Sequence, residues 1–434
     1  MTDLPAMQNF RTEWRDGRVL HLVFDMPGRS MNVFTNKAIH EIEAFADWLK
    51  GADLAGVVVS SGKPGAFCAG ADLSELSDAY AMLMAAPEAE RDALTVAHFS
   101  PIGRAFRKLE VAGKPVAFAL HGLALGGGCE FALAGHYRVL AEGAEIGLPE
   151  SLVGLLPGGG GTQRLPRLVG IEASLPILLE GGRFTAQQAL ALGAVHAVVA
   201  PGDEVAAAEA WVRSGPVPHQ PWDRADWVVP TRDDVLAVTG PRRTAELART
   251  GGNFPAEPAI LDCLDRGMPV AMDAGVAAEI DVFKDLVQRI EPKNQIAAMF
   301  LGRVDHDKRK RKEALPVGLR EFGDAVAAAM ADEIAALGGV GERAAVQAGI
   351  GGRRATGSEA AALAARMPQW FEAPTSELDH AAMRILRAGA RVAKTHGAAF
   401  AEADRNLVDF HCSSRAGFPA YLGGPFLFLG RYGA

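Results

Sequence analysis

Residues 115–131 read Pro115-Val-Ala-Phe-Ala-Leu-His-Gly-Leu-Ala-Leu-Gly-Gly-Gly-Cys-Glu-Phe131. Pro115 to Leu120 has the short, continuous apolar character of a buried strand. Three glycines then open a second apolar run in which Glu130 is the one acid. A carboxylate is costly to bury unless it has partners, so Glu130 is harder to dismiss as surface decoration than an acid in a polar stretch. Glycines in such a place allow tight turns and close backbone approach, and they present main-chain N–H groups with no side chain in the way.

Two further glycine-marked segments flank this one: Gly65-Ala-Phe-Cys-Ala-Gly-Ala-Asp72 and Ile146-Gly-Leu-Pro-Glu-Ser-Leu-Val-Gly-Leu-Leu-Pro-Gly-Gly-Gly-Gly-Thr-Gln-Arg164. Each follows a strand-like run, and the neighbouring runs Arg18–Asp25, Gly56–Ser61 and Tyr137–Ala141 read as strands as well. Between the first two, Ile39, Ile42, Phe45, Ala46 and Leu49 mark one face of a helix over Asn36–Lys50, as in a crossover between parallel strands. The fold class expected for the first two hundred residues is therefore α/β.

After Pro201 the pattern changes. A Pro- and Trp-bearing stretch leads into segments with helical periodicity alone: Val276, Ile280, Phe283, Val287 and Ile290, then Phe322, Val326, Met330, Ile334 and Leu337 before Gly338. Gly349 to Gly357 reads as a flexible connection, and Ser376 as the cap of a helix displaying Leu378, Ala381, Ile385, Ala388 and Val392.

The chain has 434 residues, 49% hydrophobic and 22% charged, with a net charge of -8. That length allows two or three domains, and the composition is that of a globular protein. The negative balance argues against a general nucleic-acid binder. The four cysteines, Cys68, Cys129, Cys263 and Cys412, form no CxxC pair and indicate neither a disulfide framework nor a metal site. No signal-like or membrane-spanning segment is read, so a cytoplasmic location is expected.

Two carboxylates over one pocket can hold a water between them, one accepting its proton and the other supplying a proton to a neighbouring carbon. Glu150, after Pro149 at an apparent helix start, is the second candidate, although an acid there is also simply a cap. Amides from two loops would receive charge developing on an oxygen.

Taken together, the AGAD, GGGCE and PE-to-GGTQR segments resemble the crotonase, or enoyl-CoA hydratase/isomerase, superfamily, in its order and near its spacing. The form IGLPE with PGGGGTQRLPR is similar to the hydratase half of multifunctional fatty-acid oxidation proteins. The resemblance implies a ββα spiral core over residues 1–200, a helical extension and linker over 201–312, and over 313–434 an all-helical domain like the C-terminal part of 3-hydroxyacyl-CoA dehydrogenases. Gly417-Phe-Pro-Ala-Tyr-Leu-Gly-Gly-Pro-Phe426 carries the last likeness most clearly.

By matching position, Glu130 and Glu150 become the catalytic acids and the N–H groups of Ala71 and Gly127 the oxyanion donors. Ala69, Gly70, Asp72, Gly126, Pro149 and Gly158 become substrate-binding positions, with Asp72 also readable as a turn or helix-start residue. Retaining both glutamates implies hydration of a trans-2-enoyl-CoA to the 3-hydroxyacyl-CoA. Isomerisation of a 3-enoyl thioester, thioester hydrolysis, or a non-catalytic acyl-CoA-binding subunit that recruits a thiolase or dehydrogenase are the alternatives.

Coenzyme A enters as part of the substrate, with no metal expected. No GxGxxG segment occurs, and Leu319 stands where an Asn is usual before Arg320, so neither NAD nor dehydrogenase activity is expected. The tail then reads either as a scaffold that covers the pocket, shapes acyl-chain specificity, self-associates or meets a partner, or as a relic kept for its packing. His136 and His196 occupy customary Asp positions and read as structural. Lys308–Lys312 reads as a solvated helix face rather than a phosphate site.

Overall fold

Alternation of strand and helix produces a mixed sheet of six strands in the order β1-β2-β3-β4-β6-β9. The strands are β1 (Phe10–Arg15), β2 (Val19–Phe24), β3 (Gly56–Ser61), β4 (Val116–Leu120), β6 (Tyr137–Ala141) and β9 (Ala197–Val199), with β5 (Leu123–Leu125) lying outside this sheet. β1 runs antiparallel to β2, and the other neighbours are parallel. A second sheet joins β5, β7 (Glu145–Gly147) and β8 (Arg183–Thr185). The computed structural model describes residues 3–16, 18–353 and 369–434.

The apolar runs become the central strands because parallel strands are covered on both faces and so tolerate no polar alternation. β2 and β4 are buried throughout. The helix predicted from Ile39, Ile42, Phe45, Ala46 and Leu49 is Asn36–Leu49, with all five residues buried and Thr35 Oγ1 accepting from the Ala38 N–H at 3.2 Å. The pairing of β1 with β2, and the small second sheet, were not legible in the sequence; their short strands carry little periodicity of their own.

Phe131 sits at the centre of the core, with no solvent exposure. Its ring meets Phe118, Phe106 and Phe34 at centroid separations of 4.8, 5.1 and 5.4 Å. Because Phe131 follows Glu130 on the short helix Gly127–Leu133, this cluster anchors the acid from behind.

The chain divides into two compact units: residues 1–239 with 259–288, and residues 240–258 with 289–434. The helix Met272–Val287 thus clusters with the N-terminal unit. Arg289 is extended, so Ile290 opens a new helix, Ile290–Gln295, instead of continuing the preceding stripe.

In the second unit the helix Leu319–Ala348 breaks at Gly338, whose φ of 58° and ψ of -137° suit only glycine. Ser376 does cap Glu377–His396, forming a reciprocal box with Asp379. The fully buried Asp409 accepts the N–H groups of Phe426 and Leu427 at 2.7 and 3.0 Å, so it caps the last helix, Pro425–Tyr432. Lys308–Lys310 end the helix Arg303–Lys310, which buries none of its residues. Of the expected connection Gly349–Gly357, residues 354–357 lie outside the described residues. Among the described residues no helix is long and apolar enough to cross a membrane.

Phe131→Ala removes a side chain on which several aromatic rings converge. It is expected to lower stability by about 3–5 kcal/mol, read by urea denaturation. A loss below about 1 kcal/mol would show that the cluster is not the core's centre.

Candidate functional site

The segment containing Ala71 is held by a buried side chain upstream of it. Asn32 is fully buried; its Nδ2 donates to the Phe24 carbonyl at 2.7 Å, to Ser61 Oγ at 3.0 Å and to the Phe67 carbonyl at 3.1 Å. It therefore ties the ends of β2 and β3 to the start of the glycine-marked loop. Phe34 then forms a parallel bridge with Ala71, using the Gly70 carbonyl and the Asp72 N–H at 2.8 Å each. That pattern spends the groups on either side of Ala71 and turns its own N–H away from Phe34.

Gly127 is the first residue of its helix, where N–H groups have no intrahelical acceptor. A Cβ on Gly127 would lie 3.8 Å from the Ala71 nitrogen. The two loops thus bring both amides to one place. Asp72 takes its bland reading: it caps Leu73–Ala85 by accepting from the N–H groups of Ser74 and Glu75, and pairs with Arg29 at 2.7 Å.

A cavity of about 110 Å³ opens here, lined by Ala71, Asp72, Gly127, Glu130, Glu150 and Gly158 among the residues singled out from the sequence. Ala69, Gly70, Gly126 and Pro149 do not line it; Gly70, Gly126 and Pro149 each adjoin a residue that does, whereas Ala69 lies one residue further back. Gly126 matters for another reason: a Cβ there would sit 2.9 Å from Glu150 Oε1, so a larger residue would displace that acid. The remaining wall is largely apolar, with Phe34, Phe99, Ile102, Leu155 and Phe283.

Glu130 is 2% exposed, and its Oε1 accepts the N–H groups of Gly159 and Gly161 at 2.7 and 2.9 Å. A Cβ at Gly159 would lie 2.5 Å from Glu130 Oε2, which explains why the loop is glycine there. Burial raises the affinity of Glu130 for its proton, and the two amides and Arg164 oppose that rise. Glu150 opens the short 3-10 turn Glu150–Val153, close to its predicted helix start. Its Oε2 is shielded from solvent without a hydrogen-bond partner. Burial and then the charge of Glu130 push its proton affinity well above the ordinary carboxylate range.

Glu279, which the sequence reading did not single out, is completely buried behind the same loop. Its Oε1 accepts the Gly160 N–H at 2.7 Å, and its Oε2 accepts the Thr162 N–H at 3.2 Å and also the Thr162 hydroxyl. A signal was present: Glu279 interrupts the apolar stripe of Val276, Ile280 and Phe283 on the face that is buried.

Glu110 and Arg164, both buried, form a two-bond ion pair at 3.0 and 3.1 Å, and Arg164 Nη1 also donates to the Gly159 carbonyl at 2.8 Å. His136 and His196 serve the backbone. His136 Nδ1 accepts from the Val116 N–H at 3.1 Å while Nε2 faces the Glu110 carbonyl at 3.0 Å. His196 Nδ1 accepts from the Arg138 N–H at 3.1 Å. Burial lowers His136 to about 4 and His196 to about 3, so both are neutral ring acceptors near pH 7.

With this geometry in place, residues 16–215 match the model of the enoyl-CoA hydratase/isomerase family. This part of the chain belongs to that family. The spiral core followed by helices is the family's fold with a helical C-terminal part. A curated relative, the fatty acid oxidation complex subunit alpha of Shewanella frigidimarina, is 35% identical over 293 residues, 65% of this chain and 39% of that protein. The protein of the same name from Shewanella baltica strain OS155 is 35% identical over 286 residues. The chain therefore spans about two fifths of the length of the curated relatives it matches. Similar solved structures include an enoyl-CoA hydratase from Bacillus anthracis, 22% identical, covering 70% of this chain and 97% of that one at a TM-score of 0.42.

Burial and then the charge of Glu130 push Glu279 up to about 8. The folded protein then holds a proton that the unfolded chain has released, and the stability this contributes is lost as pH rises toward 8. Relative to Glu279→Gln, the parent is expected to lose up to about 1.4 kcal/mol per pH unit between about pH 6 and 8, measured by urea denaturation of both proteins. A difference that does not change with pH would mean that Glu279 does not titrate in this window.

Proposed function

We propose that the site hydrates a trans-2-enoyl-CoA to the 3-hydroxyacyl-CoA. The observation that carries this reading is the pairing of two carboxyl groups on one cavity, each with an oxygen left for chemistry. Glu130 commits Oε1 to two loop amides, leaving Oε2 to receive a proton, while Glu150 Oε2 is shielded and unbonded. The family description, enoyl-CoA hydratase/isomerase, supplies the thioester class, and the relatives' name points to fatty-acyl chains.

In this mechanism the thioester carbonyl lies against the N–H groups of Ala71 and Gly127. Water is held between the two acids. Glu130, whose negative charge is supported by the Gly159 and Gly161 amides, takes a proton from the water as its oxygen bonds to C3. The C2–C3 π pair moves toward the carbonyl, and the two amides receive the enolate charge. Glu150, held protonated by burial and by Glu130, delivers its proton to C2. The proton gained by Glu130 passes back to Glu150 before the next turnover. A substrate-binding contact falls to Gly158 at the cavity wall, and the apolar wall suits an acyl chain. No metal and no NAD take part, and no dehydrogenase step is assigned to the helical unit.

Purified protein is expected to consume crotonyl-CoA with loss of the conjugated thioester's ultraviolet absorbance and formation of 3-hydroxybutyryl-CoA. Glu130→Gln and Glu150→Gln should each lower kcat by at least about 100-fold. Undiminished turnover in either variant removes that glutamate from the mechanism. Accumulation of free coenzyme A would instead indicate a hydrolase, and formation of 2-enoyl-CoA from a 3-enoyl-CoA an isomerase.

A further inference from the structure

Four consecutive N–H groups of the glycine loop are divided between two buried carboxylates. Those of Gly159 and Gly161 go to Glu130, and those of Gly160 and Thr162 go to Glu279. Gly160 is left-handed (φ 95°) and Gly161 opens the helix Gly161–Val169, and across this turn the four amides alternate between the two acids, so moving either acid disturbs peptide units that serve the other. Glu279 adds the Thr162 hydroxyl, and Gln163 Nε2 donates to that hydroxyl at 3.0 Å and to the Cys263 carbonyl at 3.1 Å. The grip on the far side of the loop is therefore itself braced by the helix Ala256–Gly267.

Glu279 does not line the cavity, whereas Glu130 does. Its geometry nonetheless matches that of a group whose effect reaches the cavity through one strip of backbone. Keeping an acid in a fully buried place on an otherwise apolar helix face is costly. A Gln or Thr in that position would spare the cost but could not accept on both oxygens.

We propose that Glu279 is a positioning residue for the hydration reaction: acting through the loop 159–162, it aims the two amides that fix the Glu130 carboxylate. This inference rests on the hydration reading above. It assigns to the helix Met272–Val287, outside the family-matched residues 16–215, a part in the chemistry of the first unit.

The test is a double-mutant cycle on the full chain with crotonyl-CoA. Glu279→Gln is expected to lower kcat by about 10- to 100-fold with KM within about threefold, because the loss falls on the transition state rather than on substrate binding. In the Glu130→Gln background the same substitution should cost less than about threefold, since the group it positions is already gone. Glu279→Asp, which keeps the carboxyl group but shortens the reach, should recover part of the activity.

If Glu279→Gln fails to fold, judged by circular dichroism and gel filtration, Thr162→Val replaces it in the cycle. That variant removes one bond to Glu279 and leaves both acids in place. An unchanged kcat, a loss confined to KM, or an equal loss in both backgrounds would overturn the proposal. A parent with no hydratase turnover would remove the hydration reading and this inference with it, whereas an active parent with indifferent variants removes this inference alone.

Discussion

A loop with four amides between two buried carboxylates is the constraint around which the first unit is organised. Glu130 and Glu279 are buried, and the oxygens they commit to the chain are satisfied by the N–H groups of residues 159–162 and, for Glu279, also by the Thr162 hydroxyl. A loop that supplies consecutive amides at this range has no room for side chains, as the contact between a Gly159 Cβ and Glu130 would show. Glycine content, acid burial and loop path are one requirement seen from three sides.

The rest of the unit maintains that arrangement. The aromatic cluster around Phe131 fixes the helix that carries Glu130. The Glu110–Arg164 pair holds the Gly159 carbonyl, so both the N–H and the C=O of that residue are committed. Removing either member of the pair would leave a buried charge without its partner, which is costlier than never having buried the pair. Asn32 does for the opposite loop what Arg164 does here: one buried polar side chain joins β2, β3 and the Ala71 segment.

Burial also sorts the ionisable groups by role. The imidazoles of His136 and His196 are pushed toward neutrality and used as backbone acceptors, so they add no titrating group near pH 7. Glu130, Glu150 and Glu279 are pushed the other way, toward holding protons. In the proposed reaction that split matters, since a supported carboxylate and an unsupported one beside each other are a natural base and acid.

The sequence by itself determined the central strands β2, β3, β4 and β6, the helix Asn36–Leu49, the cap at Ser376 and the break at Gly338. These follow from period, capping chemistry and glycine, which are local properties of the chain. An acid in an apolar run and glycines after strands were visible without coordinates, but that Glu130, Glu150, Ala71 and Gly127 belong together was implied only by the resemblance of their segments to a known family. What only the tertiary structure decided is which groups meet: Glu279 behind the loop, Glu110 on Arg164, Asn32 across two strands, and the edge strand β1. Each joins residues distant in the chain, and the free energy that selects such a pairing comes from shared burial, which no window of sequence contains.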